Sequence, residues 1–187
     1  PMPQTANPTN TPALALMPLA GRTCSLTIHQ RAESDPAASQ ADAPLVIDLV
    51  LSAGARVQRY DWRYDRPYLE ELVVDATSVR MARMERGIPL LDSHNAYSLS
   101  NNLGVIEQPR IENGQVLARA TFSRRPEVAG VVQDVKDNIL RNISAGYARY
   151  RVEMVAPAEE AGAWVYRVTD WEPMEGSIVN IPADMDA

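Results

Sequence analysis

Residues 111–122, IENGQVLARATF, constrain the fold more tightly than any other stretch of the chain. Asn113-Gly114 supplies two residues that tolerate positive φ, the requirement of a two-residue hairpin turn. Beyond the turn, Val116, Ala118, Ala120 and Phe122 recur at every second position, so one face of that strand is apolar. The preceding LGVIEQPRIE runs back along it, and a turn this tight joins only antiparallel neighbours. The chain is thereby committed to an antiparallel hairpin with one buried side.

Most of the remaining segments also read as strands. RTCSLTIHQRA alternates as a first strand, LVIDLVLSA is β-branched and suits a core strand, and RVQRYDW is its expected partner. A further strand is expected from Ile143 to about Met154. AWVYRVTDWEP and EGSIVNIPA supply two more beyond an APAEEAG turn. Helices are few. Residues 75–87, DATSVRMARMERG, open on Asp75 and close on Gly87 at the C′ position, with a basic, solvated face. For a helix over residues 126–140, Ser123 is the expected N-cap, with Pro126 and Glu127 in the first turn. Val128, Val131, Val132, Val135 and Ile139 recur there at helical spacing. Together these elements predict a mainly β fold with helices (α+β), an antiparallel sheet or barrel flanked by a few helices.

Residues 1–20, rich in Pro, Thr, Asn and Ala, read as a flexible N-terminal arm, and residues 21–187 as a single domain. Within that domain residues 32–44, polar and small, are expected to form a mobile loop. The chain of 187 residues is 45% hydrophobic, enough to build one core. A formal net charge of −6 argues against nucleic acid as a partner, because such binding rests on neutralising phosphates. No stretch approaches the roughly 20 apolar residues that cross a bilayer, so no membrane partner is expected. The lone Cys24 excludes an internal disulfide and a thiolate metal cluster. Paired zinc-binding histidines and EF-hand spacing are both missing, so neither a metal nor an organic cofactor is expected.

Two places remain where chemistry could reside. His94 lies in PLLDSHNAYSLSNNLG, a polar loop between apolar stretches; the other histidine is His29. RNISAGYARYRV sets Ser144 beside Ala145 and Gly146 where a helix hands over to a strand. Small residues there pack a helix end closely on a sheet, or they clear space above a nucleophile. A serine hydroxyl attacks only when a base takes its proton. A third group must orient the imidazole, and donors must face the developing oxyanion. Glu172, Glu175 and Asp184 are candidates for the third group, with Asp92 only two residues from His94.

LLDSHN, the LG of NNLGVIE, the helix leading into LRNISAGY, and WEPMEGSIVNIPAD occur in an order that resembles the prohead proteases of tailed bacteriophages. These are capsid-maturation serine proteases distantly related to herpesvirus assemblin. The resemblance covers residues 60–187, is most specific in LRNISAGY and EGSIVNIPAD, and is looser in YDWRYDRPYLEELV. It implies an assemblin-like fold, Ser144 as nucleophile, His94 as general base and Glu175 as the third member. Assemblin relatives use a second histidine in that last role; His29 precedes His94 in this chain, which favours a carboxylate. Gly176 departs from the bulkier apolar residue expected there and predicts a looser strand with a less well aimed Glu175. Backbone N–H groups near Ala145 and Gly146, or the side chains of Arg149 or Arg151, are the oxyanion candidates. By alternation, however, Tyr147, Arg149 and Arg151 fall on the face opposite Ser144.

The expected activity is therefore endopeptidase cleavage through an acyl-enzyme, inside an immature capsid in the host cytoplasm. Capsid and scaffold proteins, and the enzyme itself, would be substrates, and self-association to a dimer or higher would complete the site. The alternative expectation is a catalytically silent assembly module that keeps the protease fold.

Overall fold

The computed structural model describes residues 20–25, 43–157 and 162–181. The strands are β1 (Ala20–Ser25), β2 (Val46–Ser52), β3 (Arg56–Asp61), β4 (Arg66–Leu72), β5 (Ile88–Asp92), β6 (Asn102–Glu112), β7 (Gln115–Phe122), β8 (Asn142–Val155) and β9 (Trp164–Ile178). Helix α1 (Ala82–Glu85) precedes β5, and α2 (Ala129–Lys136) precedes β8. The sheet runs in the order β1-β8-β9-β5-β6-β7-β2. Its two ends, β1 and β2, come into contact without pairing, so the sheet curls toward a barrel. The mainly β architecture expected from the strand-rich sequence is what the chain adopts. Among the described residues no helix is long and apolar enough to cross a membrane.

Alternation builds the barrel interior. Ile47, Leu49 and Leu51 of β2 face Val116, Ala118, Ala120 and Phe122 of β7, and all are buried. Ile88 and Leu90, Ile106, Ile143 and Ala145, and Ile178 complete the same core from β5, β6, β8 and β9. Each fully buried Leu, Ile or Phe contributes about 1.5–3 kcal/mol. The β6–β7 hairpin turns at Asn113 and Gly114, both with positive φ, as the Asn-Gly pair requires.

Several local expectations differ from the structure, each for a non-local reason. β3 pairs with β4, and β2 pairs with β7 instead. β2 carries three core side chains and belongs in the barrel, whereas β3 is polar and joins β4 in a hairpin clamped by Arg56 and Glu71 at 2.7 Å. AWVYRVTDWEP and EGSIVNIPA form one continuous strand, β9, because β8 pairs with it from Ile143 to Val155. The sheet is mixed rather than purely antiparallel. β4 and then β5 follow one edge of β9 in parallel, with Val79 bridging Trp171 between them.

That edge explains why residues 75–87 are helical only over α1. The Asp75 carboxylate accepts hydrogen bonds from the Thr77 hydroxyl and from the Thr77 and Ser78 backbone N–H groups. These bonds, led by the Thr77 hydroxyl, lower its pKa to about 2 and hold a turn that competes with helix. Its basic face is solvated, as expected: Arg80, Arg83 and Arg86 are exposed, with Arg80 pairing to Asp170 and Arg83 to Glu172, while Met84 on the other side is buried. Helix α2 is likewise shorter than 126–140. A 3-10 turn (Pro126–Val128) precedes it, Asn138 turns the chain with φ 57°, and Ile139 lies exposed. Ser123 accepts from Arg125 N–H and does not cap the helix.

The arm, 1–20, lies outside the described residues except for Ala20, which opens β1. The expected mobile loop lies outside them up to residue 42, as does His29.

Candidate active site

The site is built where β8 begins and where β5 and β9 end. Ile143 pairs with Ile178, and Asp92 pairs with Ile178 from the other side. Ser144 stands directly opposite Ser177, and Gly146 directly opposite Glu175. Directly opposed residues share a face, with Cβ atoms about 4.5–5.5 Å apart where both have one. Ser144, Ser177 and Glu175 therefore point together, away from the barrel core that receives Ile143 and Ala145. Gly146 adds no side chain beside Glu175, which leaves the carboxylate room.

Gly176 lies between Glu175 and Ser177 and faces the core. A Cβ there would stand 2.5 Å from Ile106 Cδ1, 3.3 Å from Leu51 Cδ2 and 3.5 Å from Ile143 Cδ1. The glycine thus lets the core close beneath the site, and the expectation of a loosened strand is reversed. Three large side chains pack where a bulkier residue would stand, and Glu175 remains buried and held at both carboxylate oxygens.

His94 reaches this face through the turn that ends β5. Asn95 N–H donates to Asp92 O at 2.9 Å, and Ser93 and His94 have φ of 50° and 60°. This is the backbone sense of a type I′ turn without glycine, at a cost of roughly 1–2 kcal/mol per left-handed residue. Opposing bonds hold it: Ser93 N–H donates to Ile178 O at 3.0 Å, and His94 N–H to Ser177 Oγ at 3.0 Å. The loop beyond is pinned by Arg125, which donates to Leu99 O and Asn102 O.

The imidazole is oriented from below. His94 Nδ1 lies 2.7 Å from Glu175 Oε1, and Ser177 Oγ donates to Glu175 Oε2 at 2.6 Å. Toward a carboxylate, which only accepts, Nδ1 is the donor of this contact, and Nε2 is the ring nitrogen turned away from it. The Glu175 side chain is 5% exposed and that of His94 36%, so a buried carboxyl group holds a ring that still reaches solvent. Ser144, 2% exposed, sits one strand away on the same face. The imidazole and the carboxylate are in direct contact, and Ser144 is carried on the same face by the neighbouring strand.

The structure separates the other candidates from this cluster. Glu172 pairs with Arg83 at 3.3 Å and accepts from the Tyr150 hydroxyl at 2.7 Å. Asp92 accepts from the Ser93 hydroxyl, and Asp184 lies outside the described residues. The four oxyanion candidates are not aimed at the site. Ala145 pairs with Arg22 and Gly176, and Gly146 with Gly21 and Glu175. Amides of a strand paired on both edges lie in the sheet plane, not along the face carrying Ser144. Arg149 and Arg151 lie about 16 Å and 23 Å along the strand from Ser144. Arg149 donates to buried Glu70 at 2.6 Å; burial opposes its charge, but Glu70 and Tyr68 outweigh it and hold the pKa up. Ser177 is the site residue that sequence reasoning missed. Its signal was present in EGS, because the two-residue period puts it on the face of Glu175.

Over 108 residues, 57% of its length, the chain is 36% identical to the major capsid protein of Halomonas phage phiHAP-1. The matched part is 18% of that protein, so the chain spans less than a fifth of the curated relative. No protein-family model matches the chain, and no solved structure does. The chain is thus similar to a part of a phage capsid protein.

Proposed function

We propose that the chain is a serine endopeptidase of phage capsid maturation, of the prohead protease kind. The observation that carries the reading is the Glu175–His94 contact at 2.7 Å on the face, and beside the strand position, of Ser144. Ser144 Oγ attacks the carbonyl carbon of a peptide bond and its proton passes to His94 Nε2. The C–N bond then breaks, the amine leaves with that proton, and an acyl ester remains on Ser144. Water attacks the ester by the same proton path and restores the hydroxyl. No metal or organic cofactor enters these steps. Substrates are capsid and scaffold proteins and the chain itself, the place of action is the immature capsid, and self-association concentrates the enzyme there.

A second reading, a catalytically silent module of the capsid, is favoured by the relative's own name, which is that of a capsid protein. Co-expression with the capsid and scaffold proteins of the same phage, read by intact mass, separates the two. Defined truncation products that vanish with Ser144→Ala support the peptidase and map its cleavage site. The same products with both chains remove Ser144 from the chemistry. Unprocessed protein beside normally assembled shells favours the silent module.

A further inference from the structure

We infer that Ser177 is a positioning residue of this site, the joint that locks the His94 turn and the Glu175 carboxylate to one another. The inference rests on the reading of Ser144 as nucleophile and adds a residue to it. Ser177 is fully buried and uses both capacities of its hydroxyl: the oxygen accepts the His94 backbone N–H at 3.0 Å, and the proton goes to Glu175 Oε2 at 2.6 Å. Glu175 then gives its other oxygen to the imidazole of the same His94. The three residues close a ring in which main chain and side chain of one histidine are fixed through a single hydroxyl. Without it, two adjacent left-handed residues, Ser93 and His94, lose a bond that opposes their relaxation. The carboxylate oxygen, buried with Glu175, loses its donor and becomes free to rotate away from Nδ1. Ser177 also stands directly across from Ser144, so the joint lies beside the strand position of the proposed nucleophile.

The test uses the full chain and a fluorophosphonate, which needs no knowledge of the natural substrate. Ser144 Oγ forms the O–P bond, the P–F bond breaks and fluoride leaves, with the serine proton taken by His94. Labelling rates by intact mass are compared for wild type, Ser177→Ala and Ser177→Thr, with Ser144→Ala as the blank. Outer partners that orient a metal-ligating histidine are worth about 10- to 100-fold, and a catalytic histidine held in the same way sets the same scale. Ser177→Ala is expected to label slower by that factor, and Ser177→Thr, which keeps the hydroxyl, to recover most of the rate. With ¹⁵N-histidine protein, the low-field Nδ1 proton of His94 is expected to be sharp in wild type and Ser177→Thr and lost to exchange in Ser177→Ala. Near-UV circular dichroism checks that each variant is folded. Wild-type labelling and an intact Nδ1 proton in folded Ser177→Ala overturn the joint and leave the nucleophile reading standing. Wild-type protein that takes no label at Ser144 overturns the nucleophile reading, and the role of Ser177 falls with it.

Discussion

β8 and β9 form one ribbon, and its two halves do opposite things with polar side chains. In the near half Ser144, Gly146, Glu175 and Ser177 are small or share one compact bonding ring, and His94 Nε2 is left for a reactant. In the far half most large polar groups are taken. Glu70 is buried against Arg149 and the Tyr147 hydroxyl, Arg80 holds Asp170, and Glu172 is shared by Arg83 and Tyr150. Aromatic packing reinforces that half: Tyr68 stacks on Tyr166 at 4.1 Å, and Tyr147 meets Trp171 edge-on at 5.7 Å. The bulge between Gly146 and Tyr147 is the boundary. The same ladder can thus support chemistry where its charges stay partly uncommitted and rigidity where they are consumed.

If the halves divide labour in this way, substitutions should separate rate from stability. Glu175→Gln keeps the shape of the third group but no longer requires Nδ1 to carry the proton. A rate loss on the order of 10⁴ is expected in capsid processing, with the urea midpoint nearly unchanged. A Glu175→Gln chain that processes normally would break the comparison at its near end. In the far half, Glu70→Ala strands the buried Arg149 charge and is expected to cost about 3–5 kcal/mol in urea unfolding. A loss below 1 kcal/mol would mean that the far network is not a stability element. At the seam between site and core, Gly176→Val drives methyl groups into Ile106 and is expected to cost about 1–3 kcal/mol. Added Ile106→Val should return part of that loss, and additive effects would show that the two side chains do not compete.

The smallest effect concerns the turn that lays the chain along β9. The carboxyl of Asp75 has its pKa lowered from 3.8 to about 2 in the folded protein. A depressed folded value gives stability that is full above 3.8 and is lost as pH falls through about 2. Asp75→Ala should lower the urea midpoint slightly at pH 6, and the gap to wild type should narrow steadily below pH 4. A gap that stays constant with pH would remove the carboxylate from this turn.

Legibility followed locality. The β6–β7 hairpin was readable because the Asn-Gly turn and the alternation of Val116 to Phe122 are properties of adjacent residues. The start of β8 was readable for the same reason. β4 was overlooked because Pro67, Glu70 and Glu71 argue against a strand, yet Glu70 is buried by partners 79 residues away in the chain. The helix expected over residues 75–87 failed because β9 offers Val79 a bridge that propensity does not register. At the site, the types of Ser144, His94 and Glu175 were visible; the His94–Glu175 contact and the bonds of Ser177 were not.

The sequence by itself determined the β character, the buried faces and the small residues on which the site is built. These follow from backbone preferences and from a side-chain period that each strand carries alone. Tertiary structure alone decided which edges meet. It merged two expected strands into β9, set β4 and β5 parallel along it, and brought His94 to Glu175 across 81 residues. Edge choice depends on filling one core without voids and pairing every strand at once, and no single segment encodes that condition.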